Sequence, residues 1–278
     1  MPNRPLTSLV KRGLGALGLE LRRVRRDAVT PEEEALAKYE YYAEARPLLR
    51  RVAPYTMVPA QNLATLYEQV RYVEARGLPG ALVECGVWKG GSVGLMALAN
   101  LRHGTRRRDV HLFDAFDDIP EPNPAVDGER AVAAVHRLLG REDVELTGAR
   151  RSIPGLYDSY GGHGEVDAVR HLLTEDIGYP ADRLHFHVGY FEEVVPAAAP
   201  TLGKIAVPRL DGDWYSSTKV CLEHLVERVV PGGLIIVDDY GAYDGCRRAV
   251  REFLDGRPDA PPFLAYSDPH CRYWQRPG

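Results

Sequence analysis

The chain has 278 residues, 45% hydrophobic and 27% charged, with a formal net charge of -4, which suits one large soluble α/β domain or one domain with an extension. That charge gives no basic field to draw in nucleic acid, and no window nears the roughly 20 apolar residues of a membrane span. The four cysteines, Cys85, Cys221, Cys246 and Cys271, are scattered, a pattern that supports neither a zinc site nor a disulfide framework and suits a reducing cytoplasm.

Residues 1–30 read as a basic amphipathic arm. Leu9, Val10, Leu14, Leu17, Leu19 and Leu21 alternate with Lys11, Arg12, Arg22, Arg23, Arg25 and Arg26. An unbroken apolar core and a small-residue cleavage site are both missing, so this is not a signal peptide. Such an arm packs on its own domain or a sister subunit, or lies on an anionic membrane surface or an acidic partner.

Thr30-Pro31-Glu32-Glu33 opens a helix, with Thr30 as cap, Pro31 at the first position and Glu33 completing a capping box. That helix is expected to run to about Leu49, and a second from about Ala60 to Arg76, making a helical cap over 31–80. Ala81 to Gly86 is the first strand and Ser92 to Leu101 a helix; Asp109 to Asp114 is the second strand and Leu184 to Val188 the third. Between those two strands, residues 115–183 are far more than a crossover helix needs, and Ser152 to Gly164 is rich in Gly and Tyr. Loops this long in compact domains are usually functional or disordered; here a lid insertion is expected over about 120–180.

Two further strands end in carboxylates. Ile205 to Leu210 runs into Asp211-Gly212-Asp213, and Gly233 to Val237 into Asp238-Asp239. A helix from about Ser216 to Val229 lies between them, another spans Asp244 to Leu254, and Pro262 to Tyr266 with His270 to Trp274 forms a terminal hairpin. Alternating strands and helices predict a doubly wound sheet. Ligands of such sheets sit beyond the carboxyl ends of the strands, where four collected carboxylates repel one another unless a cation is present. This is the pattern of a divalent metal site. Each pair alone also reads as a helix cap or a turn.

The turn Glu84-Cys85-Gly86-Val87-Trp88-Lys89-Gly90-Gly91-Ser92 fits neither GxGxxG nor GxxxxGK[ST]. Its glycines let the backbone approach a ligand without a phosphate signature, such as a nucleoside with a non-phosphate tail. Asp114, closing the next strand, stands where an acidic residue binds ribose hydroxyls. His163, His185 and His187 read as structural, and Trp88, Trp214 and Tyr215 as packing.

Tyr55-Thr56-Met57-Val58, Val83 to Ser92, Asp114 to Pro120, Leu210 to Thr218 and Val237 to Gly241 resemble five ordered motifs of the macrocin O-methyltransferases. These are metal-dependent sugar O-methyltransferases that use S-adenosylmethionine in natural-product tailoring. The resemblance covers about residues 50 to 278. It implies a class I methyltransferase fold, Rossmann-like, with about seven mostly parallel strands, one antiparallel, and the first, fourth and fifth strands adjacent; the methyltransferase domain would span 81–278.

By the same resemblance Asp211, Asp238 and Asp239 match Mg²⁺ ligands, and Asp211 or Asp213 the general base. Tyr55, Thr56, Met57, Glu84, Gly86, Ser92 and Asp114 match positions lining the methyl donor. Asp117-Asp118 replaces an acidic-Gly pair of the family, and the 152–164 stretch is longer than usual. The expected acceptor is a glycosylated small molecule and the expected assembly a homodimer or larger, in the cytoplasm. A catechol or phenol acceptor is the alternative within methyltransferases. A metal-dependent glycosyltransferase, through the Asp211-Gly212-Asp213 pattern, is the alternative from another class.

Overall fold

The computed structural model describes residues 31–258 and 260–278; the basic arm lies outside the described residues. The chain divides into two compact units, 1–40 and 41–278. The described part of the first holds helix α1 (Pro31–Leu36). The second opens with α2 (Tyr42–Val52) and α3 (Ala60–Ala75). The single helix expected over 31–49 is thus two, and the turn before α2 brings the Tyr41 ring 3.6 Å from the Arg71 guanidinium, a cation–π contact that a continuous helix would redirect.

The sheet follows. Strands β1 (Ala81–Cys85), β2 (Val110–Asp114), β3 (Leu184–Val188), β4 (Ile205–Leu210), β5 (Leu234–Val237), β6 (Ala265–Tyr266) and β7 (Arg272–Gln275) take the order β3-β2-β1-β4-β5-β7-β6. Neighbours among β1 to β5 pair parallel, and β7 pairs antiparallel with both β5 and β6. This is the class I methyltransferase sheet, with β1, β4 and β5 side by side as expected. Every residue of β1, β4 and β5 is buried, as helices on both faces of a parallel sheet require. The helices are α4 (Gly91–His103), α5 (Pro124–Leu139), α6 (Val166–His171), α7 (Phe191–Ala198), α8 (Tyr215–Leu225) and α9 (Asp244–Asp255). A core of Val83, Cys85, Phe113, Leu222, Ile235 and Trp274 joins the sheet to α7, α8 and α9.

The strand tips are drawn together beyond the sheet itself. The amide of Asp211 donates to the Cys85 carbonyl at 2.8 Å, Asp238 to Leu210 at 2.9 Å, and Gly86 to Phe113 at 2.9 Å. Three loops therefore leave the sheet in contact. Among the described residues no helix is long and apolar enough to cross a membrane.

Candidate active site

A cavity of about 260 Å³ opens at these strand tips. Its walls come from the segment before α3, from the β1–α4 turn, and from the loops after β2, β3, β4 and β5.

Glycine makes the first wall possible. Gly86 has φ +89°, and a Cβ there would stand 2.1 Å from the Asp211 carbonyl oxygen. Gly90, at φ +88°, caps α4, and a Cβ on Gly91 would meet Thr56 Cβ at 2.6 Å and the Tyr55 carbonyl at 2.7 Å. The Tyr55–Pro59 segment thus lies directly on the N-terminal turn of α4. There Thr56 Oγ1 and Ser92 Oγ are 3.5 Å apart, and the Val58 amide donates to Thr56 Oγ1 at 3.1 Å. Asp114 fixes the turn from the other side, Oδ2 accepting from the amides of Val87 (2.6 Å) and Trp88 (2.9 Å) and Oδ1 from Phe116 (2.7 Å). Burial pushes the Asp114 carboxyl above its ordinary range despite those three amides.

Tyr55, Thr56, Met57, Gly86, Ser92 and Asp114 all line the cavity. Glu84 does not: it is fully buried, with Oε1 2.9 Å from Arg209 Nη1 and no hydrogen bond to Oε2. Burial pushes its carboxyl up to about 8, against the attraction of Arg209.

The second wall is acidic. Asp211, Asp213, Asp238 and Asp239 line it together. Arg209, 1% exposed, lies beneath, with Nη1 2.8 Å from Asp211 Oδ2 and Nη2 2.9 Å from Asp238 Oδ2. The second is an ion pair without hydrogen-bond alignment, since Nη2 has no hydrogen-bond partner. Asn62 on α3 donates to Asp238 Oδ1 at 2.7 Å. Asp213 sits at φ +56°, a left-handed conformation that a non-glycine residue adopts only under local constraint. Its amide donates to Asp239 Oδ2 at 3.1 Å, while its own carboxylate accepts no hydrogen bond among the described residues. Burial and then mutual repulsion hold the Asp213 and Asp239 carboxyls well above the usual range.

Ligand oxygens of Asp211, Asp213 and Asp239 lie within 4.8 Å of one another. Asp238 stands beside them with its oxygens turned to Asn62 and Arg209. An oxygen-only set with one buried guanidinium as its counter-charge fits a hard cation such as Mg²⁺.

Some of the cavity was not read from the sequence. Gly189, Tyr190, Phe191 and Glu192, after β3, line it; the signal was a Gly-aromatic pair directly after a strand, the position where this fold receives ligands. Tyr157 and Gly164, from the Gly- and Tyr-rich stretch, also line it. Trp88 and Trp214 line it and Tyr215 does not. The histidines lie elsewhere. His185 Nε2 is 3.1 Å from Asp109 Oδ1, and His187 Nε2 is 3.1 Å from His111 Nδ1.

Comparison with known proteins agrees with this architecture. The family described as Macrocin-O-methyltransferase (TylF) matches residues 20–146 and 167–276. A Streptomyces olivaceus protein, 8-demethyl-8-(2,3-dimethoxy-alpha-L-rhamnosyl)-tetracenomycin-C 4'-O-methyltransferase, is 39% identical over 72% of this chain and 67% of its own length. Mycinamicin III 3''-O-methyltransferase of Micromonospora griseorubida is 30% identical over 80% of this chain and 78% of its own. The solved structure of the O-methyltransferase NovP superposes with a TM-score of 0.62 at 30% identity, covering 81% of this chain and 83% of NovP. A chain with this sheet, this cavity and these relatives is a methyltransferase, and it belongs to the macrocin-O-methyltransferase family.

Proposed function

We propose that the protein transfers the methyl group of S-adenosylmethionine to a sugar hydroxyl of a glycosylated natural product, with Mg²⁺ bound at the acidic wall. One observation carries this reading: a glycine-built nucleoside wall and a four-carboxylate wall share one cavity. One relative is named as the 4'-O-methyltransferase of a rhamnosyl-bearing tetracenomycin, which supports a sugar over a catechol or phenol acceptor. Family membership removes the glycosyltransferase alternative.

The donor and metal roles are those the family resemblance implies, and the choice of base follows from which carboxylate is free. Tyr55, Thr56, Met57, Gly86, Ser92 and Asp114 surround the donor. Asp211, Asp238 and Asp239 would hold Mg²⁺, which when bound would polarise an acceptor oxygen and help orient it. Asp211 Oδ2 is committed to Arg209, whereas the Asp213 carboxylate has no partner among the described residues. Asp213 is therefore the base that takes the hydroxyl proton as the oxygen attacks the sulfonium methyl. Trp214 and Tyr157 exclude water from that side of the cavity. Held reactants of this kind gain much of their rate from alignment alone, with effective molarities of about 10⁵ M or more.

Calorimetry with S-adenosylmethionine and S-adenosylhomocysteine, with and without Mg²⁺, tests the donor half, and methyl transfer to a panel of deoxysugar glycosides tests the acceptor half. Absence of adenosyl-ligand binding would sink the reading. The homo-oligomer is likewise a proposal, and a monomer mass by light scattering of the full chain would overturn it.

A further inference from the structure

The stretch 147–166 falls between the two segments that match the family, yet it supplies Tyr157 and Gly164 to the cavity wall. It is anchored at both ends. Ile153 and Leu156, 5% and 0% exposed, pack with Ala131, Val135 and Trp214. The Ile153 amide donates to the Ile119 carbonyl at 3.0 Å, and the amides of Gly155 and Tyr157 donate to the Asp118 carboxylate at 2.7 and 3.3 Å. At the other end Lys89 Nζ donates to the carbonyls of Tyr160 (2.8 Å) and Gly161 (3.0 Å), and Trp88 Nε1 to that of Gly162 (3.2 Å). Gly164 lies so close to the donor turn that a Cβ would stand 1.7 Å from the Trp88 carbonyl oxygen.

Tyr157 projects between these anchors. Its ring is tilted against Trp88 at 6.4 Å between centroids, and it packs on the cluster that contains Trp214. Its hydroxyl has no hydrogen-bond partner among the described residues. Burial, then the carboxylates of Asp213, Asp211 and Asp114, push its pKa up, so the phenol keeps its proton at neutral pH. The acidic wall beside it offers carboxylates, which when ionised only accept hydrogen bonds. The Ser217 hydroxyl on that wall is already given to the Gly212 and Trp214 carbonyls, whereas the Tyr157 hydroxyl is uncommitted.

Resting on the methyl-transfer reading, we propose that Tyr157 orients the acceptor, its hydroxyl donating to a sugar oxygen that neighbours the one Asp213 deprotonates. The substrate class is then a pyranoside with two vicinal oxygens, one methylated and the next held by Tyr157. The residue sits in a stretch outside the segments that match the family. A sugar lacking the neighbouring oxygen leaves the phenol unpaired, a loss of about tenfold in affinity.

The test uses the full chain with Mg²⁺ and S-adenosylhomocysteine. The probes are 4-nitrophenyl α-L-rhamnopyranoside and its deoxy analogues, with binding followed by saturation-transfer NMR and turnover followed with S-adenosylmethionine. Tyr157→Phe is expected to keep S-adenosylhomocysteine affinity within twofold by calorimetry. It should weaken glycoside binding about tenfold, raising KM for the acceptor more than it lowers kcat. The deoxy analogue lacking the Tyr157-held oxygen should bind wild type and Tyr157→Phe equally. Equal affinity of both proteins for every glycoside overturns the assignment, as does a loss confined to S-adenosylhomocysteine. Normal S-adenosylhomocysteine binding with no glycoside response by wild type overturns this assignment alone. Absence of S-adenosylhomocysteine binding instead overturns the methyltransferase reading of the cavity.

Discussion

Arg209 Nη1 stands 2.9 Å from Glu84 Oε1, and the two side chains are 1% and 0% exposed. The same nitrogen reaches Asp211, and the other terminal nitrogen reaches Asp238. One buried cation thus underlies three carboxylates from three adjacent strand tips. Removing one partner of a buried pair leaves uncompensated charge, typically at a cost of about 3–5 kcal/mol. Arg209→Met is expected to lose about that much in urea unfolding, and Glu84→Gln in the same background to recover part of it. A loss below about 1 kcal/mol would show that the guanidinium is not the counter-charge.

On the proposed reading, the acidic wall separates into holders and base. Asp238→Asn and Asp239→Asn are expected to weaken Mg²⁺ or Mn²⁺ binding at least about tenfold by calorimetry, and a chelator to abolish turnover. Asp213→Asn should leave metal affinity within a few-fold and cut kcat by about 10²–10⁴, the usual share of a general base. If Asp213→Asn loses metal and Asp238→Asn does not, the Asp211, Asp213 and Asp239 set is the ligand set and the base lies elsewhere.

Gly86→Ala should be among the most damaging single-methyl additions. The new Cβ would meet the Asp211 carbonyl oxygen at 2.1 Å, from a backbone at φ +89°, so β1 and β4 must part at the cavity. The expected result is loss of S-adenosylhomocysteine binding together with a lowered Tm. Gly162→Ala, also at positive φ but with open space around its Cβ position, bears the conformational strain alone and is the control.

At the β2–β3 edge, burial first, and then His185 and His187, hold the His111 imidazole down to about 4, with Asp109 pulling the other way. The unfolded chain takes up that proton near 6.5. Between those values the unfolded state binds more protons, so this contribution to stability is full above 6.5 and is lost as pH falls through 4. Glu84, raised from 4.5 to about 8, has the opposite sign: its contribution is present below 4.5 and lost as pH rises through 8. Glu84 is common to both proteins and cancels in a comparison of wild type with His111→Phe. That difference in urea midpoint is expected to change between pH 6.5 and 4, and a constant difference would refute the assignment.

The sequence carried the centre of the sheet because β-branched runs bounded by Gly, Pro and Asp leave little choice of element, and because β1, β4 and β5 are buried throughout. The β1–α4 turn at the cavity was legible through the glycines whose conformations it demands. Arg209 was legible only as a member of an apolar strand, although a lone arginine in a buried run beside Asp211 already requires buried anionic partners. Asn62 could not be read at all, since nothing within α3 marks one polar residue as reaching a strand tip. Tyr157 stood out only as part of a Tyr- and Gly-rich stretch, because what gives it a role is the fold of a loop that has no periodicity to read.

The bond from Asn62 to Asp238 has a practical meaning for anyone cutting the gene. A fragment beginning at β1 would retain every strand of the sheet and all four carboxylates. It would lack Tyr55 to Pro59, one side of the vessel, and the amide that steadies Asp238. On the proposed reading the working enzyme therefore needs residues upstream of β1, and boundaries drawn around the sheet alone would leave the cavity without its Tyr55 to Pro59 wall.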